Sequence, residues 1–222
     1  MLPVRLALRP RGVAAGTVGP VSRVYPEITA ELSDWIARQS LFFVATAPLS
    51  PEGSVNLSPK GPIGSLRVLG PAEVAYLDIV GSGVETAAHL EENGRVTLML
   101  CAFDGPPRIL RLYGRGTVVW AEDPAFDALR RRCAFDEPAV DATRRAIVHV
   151  HVIRVADACG FGVPLMDFRS HRGNADRWAK GKLARGGVAA IVAYKRRKNR
   201  TSIDGLPAWP GTGQGPPEGK GT

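Results

Sequence analysis

The spacing of apolar residues changes from a helical to a strand period near residue 40. Four apolar residues between Ile28 and Ile36 recur at helical spacing, which predicts a helix over residues 29–38 with Thr29 as its cap. Residues 41–47 are β-branched and aromatic, and a Pro-Glu-Gly turn leads from them into a second apolar-polar alternation over 54–58. The chain is therefore predicted to begin its fold with one helix and a β-hairpin.

The remainder of the chain continues mainly in the strand period. It predicts strands over 66–69, 74–80, 95–103, 108–120 and 146–155, and helices over 84–92, 123–135 and 174–183. Gly94 is expected to end the first of these helices as a left-handed cap, and Phe126, Leu129 and Cys133 are expected on the inner side of the second. The connections between strands are short, which favours antiparallel pairing, and no GxGxxG motif follows a strand, which argues against a Rossmann domain. We predict a mainly β fold, an antiparallel barrel of six to seven strands with small flanking helices.

Polar and apolar side chains alternate in the second predicted strand. Val55 and Leu57 fall on one face, while Asn56, Ser58 and Lys60 fall on the other. That polar stripe carries an amide, a hydroxyl and an ammonium group. The pattern taken alone favours a half-buried strand whose polar stripe faces solvent.

A glycine-rich turn precedes the second predicted helix. Ser82 and Glu85 have the spacing of a capping box, in which a hydroxyl and a carboxylate satisfy the first helical amides. The same helix start, with the hydroxyls of Ser82 and Thr86 beside free backbone amides, could instead bind an anion such as a cofactor phosphate. Spacing alone favours the capping box.

Two other sets of polar residues have alternative interpretations. Arg111 and Arg115 share one face of a strand whose other face is apolar, a pattern that suits either an anionic ligand or an ordinary surface. His149 and His151 share a face of the last long strand. No third ligand follows at a suitable spacing, so packing is favoured over a metal site, and we predict none.

Composition indicates one ordinary globular domain. The chain has 222 residues, is 45% hydrophobic and carries only three scattered cysteines, which we interpret as free thiols in a reducing compartment. No apolar run approaches the roughly 20 residues that span a bilayer, so no membrane-spanning segment is expected. The free thiols favour a cytoplasmic protein. Residues 1–24 and 207–222 are predicted to be a disordered extension and a disordered Pro- and Gly-rich tail, which leaves 25–206 as the domain.

The formal net charge is +8, and much of the positive charge lies late in the chain, above all in the run at 195–200. Such a charge suits a nucleic acid, an anionic membrane surface or a phosphorylated small molecule, but a solvated surface would look the same. A motif-like segment, SIDGLP, follows the run at 202–207, whereas nucleic-acid tails are usually low in complexity. We therefore do not expect nucleic acid as a partner.

Short motifs in consistent order give the chain a family resemblance. They read VNLSPKG at 55–61, YLD at 76–78, GSGVET at 81–86, HL at 89–90, GPPR at 105–108, RLYG at 111–114, GFGVP at 160–164 and KNRTSIDGLP at 198–207. In this order they resemble the pyridoxamine 5′-phosphate oxidase-like flavoproteins, over residues 28–207. The resemblance implies an FMN-binding split β-barrel that forms a homodimer with the cofactor at the subunit interface.

The resemblance also implies which residues hold the cofactor. Carried over by position, they are Asn56, Ser58, Lys60, Asp78, Ser82, Thr86, Arg111, Trp178, Arg200 and Ser202. It implies an FMN-dependent oxidoreductase whose small-molecule substrate the sequence does not name. True pyridoxamine phosphate oxidases have an Arg-Lys pair at the helix start, where this chain has Glu85-Thr86, so vitamin B6 oxidation is not expected. Alternatives are a deazaflavin F420 or haem cofactor, or a non-catalytic protein that carries F420, haem or flavin or that binds nucleic acid through the basic run at 195–200.

Overall fold

A computed structural model describes residues 23–136 and 138–210. Most of the predicted N-terminal extension, residues 1–22, and most of the predicted tail, residues 211–222, lie outside the described residues. Four residues of the predicted tail, 207–210, are described, and the Trp209 side chain among them is buried.

The described chain forms one antiparallel sheet of eight strands. They are β1 (Val24–Tyr25), β2 (Phe42–Thr46), β3 (Asn56–Lys60), β4 (Leu66–Gly70), β5 (Glu73–Ile79), β6 (Arg95–Cys101), β7 (Ile109–Trp120) and β8 (Arg144–Ala158). Seven follow the order β3-β2-β6-β7-β8-β5-β4, and β1 pairs with the far end of β8. The predicted mainly β fold is confirmed, and the strand beyond the predicted six to seven is the two-residue β1.

The sheet curls around one apolar core without closing into a full barrel. Its end strands, β3 and β4, are not hydrogen-bonded to each other in the described residues. Leucines of β6 and β7, such as Leu98 and Leu112, point inward and are fully buried, and Val44 of β2 and Tyr76 of β5 join them. Side chains on these strands alternate between the core and the outer face, as a pleated sheet requires.

Two short helices flank the core. Helix α1 (Ala30–Ala37) is capped by Thr29, whose hydroxyl accepts the Leu32 amide at 3.2 Å, as predicted. Helix α2 (Glu85–Asn93) ends at Gly94 in the left-handed conformation (φ 70°), which also matches the prediction and favours glycine because a Cβ is disfavoured there.

The predicted capping box at the start of α2 is wrong. The cap position is Val84 rather than Ser82, no side chain bonds the first amides, and Glu85 is the first helical residue. The Glu85 carboxylate instead folds back over Gly83, where a Cβ would collide with it. Glycine at this position is what allows the carboxylate to lie against the turn.

Helix α3 (Phe126–Cys133) covers part of the outer face of the sheet. Phe126 and Cys133 are buried against Ile147 and Leu77, so the predicted inner side is confirmed. The helix begins later than the predicted residue 123. Its last turn holds Arg132, which forms a two-pronged ion pair with Glu73 of β5, with nitrogen-oxygen distances of 2.7 and 2.5 Å.

Helix α4 (Asn174–Lys198) is longer than predicted because the basic run is helical. It consists of two halves, since Gly186 and Gly187 interrupt the helical backbone. Ala179 from the first half and Ile191 from the second are buried against the end of β5. Among the described residues, no helix has the length and apolarity needed to cross a membrane.

Candidate functional site

The polar stripe of β3 faces the interior of the sheet, so its predicted solvent-facing orientation is wrong. Val55 and Leu57 are 75% and 62% exposed, whereas the side chains of the stripe are half-buried. The strand register explains this, because Ser58 pairs with the fully buried Val44, and directly opposed residues share a face. A strand that turns polar groups inward and apolar groups outward reverses the usual pattern and points to a polar site.

Asn56 is the centre of a hydrogen-bonded group at one end of the stripe. Its amide nitrogen donates to the hydroxyls of Thr46 at 3.1 Å and Thr86 at 3.0 Å, and its amide oxygen accepts from Ser58 at 2.7 Å. Both amide hydrogens and one lone pair are thus engaged within the protein. Asn56 therefore orients three hydroxyl groups, and because Ser58 gives its hydrogen to Asn56, its lone pairs can accept from a ligand.

A buried histidine extends this group. Nδ1 of His89 lies 3.0 Å from the Thr46 hydroxyl, and Nε2 is buried without a partner among the described residues. Burial lowers the pKa of His89 and outweighs the opposing effect of the carboxylates of Asp204, Glu92 and Glu85. A neutral imidazole with one free nitrogen is therefore available inside the site.

A charged triad occupies the other end of the stripe. One oxygen of the Asp78 carboxylate lies 2.9 Å from the Lys60 ammonium. The other oxygen lies 2.8 and 2.6 Å from two nitrogens of the Arg145 guanidinium. Burial raises the pKa of Asp78, but the charges of Arg145 and then Lys60 outweigh burial, and the resulting pKa is lowered. Two cations share one carboxylate, which leaves the triad with a net charge of about +1 at neutral pH.

The glycine turn before α2 is held from two sides. Arg145 donates to the Gly83 carbonyl at 2.7 Å, and Asn199 donates to the Gly81 carbonyl at 3.1 Å. The Asn199 side chain is fully buried, and its amide oxygen has no partner among the described residues. Ser82, between the two glycines, is exposed, so its hydroxyl and the turn are open to a ligand.

Residues 199–206, which follow α4 and which we name the strap, lie beside the site. Asp204 accepts from the amide of Ser54 at 2.7 Å and from its hydroxyl at 3.0 Å, next to the start of β3. Ser202 is buried in a tight turn, where its hydroxyl accepts the Leu206 amide at 3.1 Å. The Arg200 side chain is exposed, and its carbonyl accepts the Ala208 amide. Ser202 and Arg200 thus shape the strap.

Two of the predicted site residues lie apart from this cluster. Arg111 pairs with Met99 and lies between the fully buried Leu110 and Leu112, so its side chain is on the outer face of the sheet. Trp178 packs edge-on against Tyr194, with ring centres 4.9 Å apart, within α4. Five of the predicted site residues therefore lie together at the inner face of the sheet, and Ser82 lies on the adjoining turn. The five are Asn56, Ser58, Lys60, Asp78 and Thr86.

Sequence reasoning missed three residues of this site. His89 and Asn199 stand in the sequence only as parts of motifs, and Arg145 falls at the edge of an apolar strand. A signal was present for Arg145, since an arginine among the apolar residues of a central strand requires a buried partner, and Asp78 interrupts the neighbouring strand in the same way.

The paired histidines of β8 do not form a ligand set. His149 lies 2.6 Å from a carboxylate oxygen of Glu73, and His151 is exposed rather than packed. The part of the chain that the structure describes contains no group of three or more His, Cys, Asp or Glu side chains placed to hold a metal ion.

Comparison with known proteins identifies the family. The family model described as pyridoxamine 5′-phosphate oxidase matches residues 28–159, more than half of the chain. The chain belongs to this family. A relative, the pyridoxamine 5′-phosphate oxidase family protein ustO of Aspergillus flavus, is 39% identical in an alignment 196 residues long that covers 82% of this chain and 76% of the relative. The polar stripe of β3, which we also call the inner stripe, and the triad of Lys60, Asp78 and Arg145 both lie within the range that the oxidase family model matches.

Two solved structures are similar to parts of this chain. HupZ of Group A Streptococcus is 22% identical and covers 58% of this chain and 91% of its own, with a TM-score of 0.44. An FMN-binding protein of Syntrophomonas wolfei is 16% identical and covers 60% of this chain and 82% of its own, with a TM-score of 0.38.

Proposed function

We propose that this protein binds FMN and holds the flavin phosphate at the inner stripe of β3. The observation that carries the proposal is the inward orientation of Lys60, because its ammonium has three N–H donors and Asp78 accepts only one of them, so donors remain at the inner face for an anionic group. Membership of the pyridoxamine 5′-phosphate oxidase family, whose flavoproteins the sequence motifs resemble, supports a flavin as that occupant.

The residues present fit a phosphate group. The Lys60 side chain is 22% exposed, and its ammonium has three donors, of which Asp78 takes one. The hydroxyls of Ser82 and Thr86 can also donate to a phosphate, whereas Ser58 already donates to Asn56. The glycine turn adds backbone amides. Asp78 neutralises only one of the two triad cations, so the local field still favours an anion. The Glu85 carboxylate over Gly83 opposes this field on the turn side, so we expect the phosphate to lie toward Lys60.

We also propose that the protein works as a homodimer, with the cofactor near the interface. The outer face of β2, β3, β6 and β7 carries the exposed Leu57 and Tyr113 and the half-buried Phe43, Met99 and Arg111. Exposed apolar groups that share one sheet face are typical of an interaction surface. In a dimer, Arg111 faces the partner and can contribute to a site that the inner cluster alone does not complete.

The proposed reaction class is flavin-dependent oxidation or reduction of a small molecule. FMN, when bound, supplies the electron-transfer chemistry, and the protein supplies binding, orientation and charge. His89, held neutral by burial, can exchange a proton through the Thr46 hydroxyl, and Lys60 can balance negative charge. We expect the strap at 199–206 to limit the access of water to this side of the site.

Absorption spectroscopy tests the proposal directly. We expect the purified protein to bind added FMN stoichiometrically, with a shifted flavin spectrum that bleaches on addition of dithionite and recovers in air. F420 and haem are added to separate samples as competing cofactors. Preferential binding of F420 would indicate F420 as the cofactor in place of FMN, and a Soret band with haem would indicate haem. Binding of none of the three would refute a cofactor role.

Turnover separates an oxidoreductase from a carrier. An FMN-loaded oxidoreductase is expected to accelerate flavin reduction by a suitable donor, or reoxidation by an acceptor, beyond the rate for free FMN. Flavin that binds tightly but reacts no faster than free FMN with any donor tested would indicate the carrier alternative.

A further inference from the structure

The whole net charge of this protein resides in one segment. Residues 174–200, which we name the basic hairpin, hold nine of the 29 Lys and Arg residues and one of the 21 Asp and Glu residues. The formal charge of the basic hairpin is therefore +8, equal to that of the full chain, and the remaining residues balance to zero. A neutral body that carries one strongly positive element has a polarised surface.

Several cations outside the basic hairpin form ion pairs, whereas most cations of the basic hairpin do not. Three ion pairs outside the basic hairpin are examples: Arg132 with Glu73, Arg67 with Asp136, and Arg145 with Asp78. In the basic hairpin, Lys195 is buried, with its ammonium 3.5 Å from Glu122. Among the described residues, no carboxylate pairs with the exposed cations of the basic hairpin: Arg177, Lys180, Arg185, Arg196, Arg197, Lys198 and Arg200.

The glycine break brings the cations of the two helical halves together. Tyr194 of the second half packs against Trp178 of the first, so the halves lie side by side. Lys182 from one half and Arg197 from the other each lie 5.8 Å from the centre of the Tyr194 ring. In the sequence the cations at 180–185 stand apart from the run at 195–200, whereas the structure brings the two groups together.

We propose that the basic hairpin binds the phosphate backbone of a nucleic acid. Exposed cations that lack carboxylate partners are able to replace the counterions of a polyanion, which is the main source of affinity for phosphate backbones. The exposed residues between them are small, as at Ala184, Ala189 and Ala193, and allow a backbone to approach closely. The motif at 202–207 led us not to expect nucleic acid as a partner, and this proposal favours the alternative instead.

An anionic membrane fits this surface less well. Membrane-surface helices insert a broad apolar face that includes aromatic side chains. Within the described part of the basic hairpin, only two large apolar side chains are exposed, Leu183 and Val188. Both lie near the glycine break. Trp178 and Tyr194 are half-buried against each other and are not free to insert.

Fluorescence anisotropy with a labelled DNA duplex of random sequence tests this proposal. We expect binding whose affinity falls steeply with salt, by a logarithmic slope of about −0.9 for each phosphate contacted. Combined replacement of Lys180, Arg185 and Arg196 by glutamine is expected to weaken binding at least tenfold and to make the slope shallower by about 2 to 3. The same variant is expected to retain the FMN affinity of the unmodified protein, so the two proposals fail separately.

A matched variant controls for bulk charge. Replacing Arg38, Arg131 and Arg169 by glutamine removes the same three charges from exposed positions outside the basic hairpin, and we expect it to leave duplex affinity within about twofold. Equal losses in the two triple variants, or no binding of the duplex near physiological ionic strength, would overturn the proposal. Tighter binding to vesicles containing phosphatidylserine than to the duplex would overturn it in favour of a membrane.

Discussion

Replacing Asp78 with alanine is expected to lower the free energy of unfolding by about 3–5 kcal/mol. The Asp78 carboxylate is 6% exposed and receives both Lys60 and the nearly inaccessible Arg145. Without it, two cations remain at the inner end of β5 and β8 with no compensating charge, and the desolvation cost of Arg145 is no longer offset. Urea unfolding followed by circular dichroism measures the change.

An exposed ion pair provides the control for this prediction. Asp136 pairs with Arg67 at 3.2 Å, but its side chain is 66% exposed. Replacing Asp136 with alanine is therefore expected to cost no more than about 1 kcal/mol. If the Asp78 variant were as stable as the Asp136 variant, the triad would not be a buried electrostatic centre.

The Asp78 triad also predicts acid sensitivity. The pKa of Asp78 is lowered in the folded protein, so its contribution to stability is present above its ordinary pKa. The contribution is lost as the pH falls below that ordinary value toward the folded pKa. The unmodified protein is therefore expected to lose more stability between neutral pH and strongly acidic pH than the Asp78→Asn variant, as measured by urea unfolding at each pH.

Replacing Lys60 with alanine is expected to weaken FMN binding by about 10- to 150-fold. This range corresponds to the roughly 1.5–3 kcal/mol of a charge-assisted hydrogen bond. Lys60 is the cation of the triad that remains partly exposed, whereas Arg145 is committed to Asp78 and the Gly83 carbonyl. Asp78 keeps Arg145 in this variant, so we expect the fold to persist. Titration of FMN followed by quenching of flavin fluorescence measures the affinity.

Two comparisons separate a phosphate contact from a general effect on folding. Riboflavin lacks the phosphate, so its affinity is expected to change less than about threefold in the Lys60 variant. Alanine at the exposed Lys180 removes the same charge at another surface and is expected to leave both affinities unchanged. Parallel losses for FMN and riboflavin would show that Lys60 supports the pocket without binding phosphate.

The sequence predicted the fold well because its signals are local. Strand alternation, the Thr29 cap and the Gly94 helix end each depend on a few neighbouring residues, and all three are found in the structure. The length of α4 was underestimated because Gly186 and Gly187 interrupt the helical pattern. The second half is held by long-range packing of Ile191 and Lys195, which local spacing does not encode.

The site was predicted less completely because its orientation depends on register. Asn56, Ser58 and Lys60 were recognised as one stripe, but whether a stripe faces solvent or the interior follows from which residues of β2 it opposes. The capping box failed for a related reason, since Ser82 and Glu85 have the required spacing but the helix begins after Val84. His89 and Asn199 act through partners distant in sequence, so no local pattern identified them. The position of Arg145 beside an apolar strand indicates a buried partner, but only the structure shows that the partner is Asp78.

The central claim is that the inner stripe of β3 holds a flavin phosphate, and the affinities of the unmodified protein for FMN and riboflavin test it most directly. Both ligands carry the same ring system and differ by the phosphate. We predict that FMN binds at least about 100-fold more tightly than riboflavin, because several charge-assisted contacts add to that difference. Equal affinity for the two ligands, or binding of neither, would contradict the account.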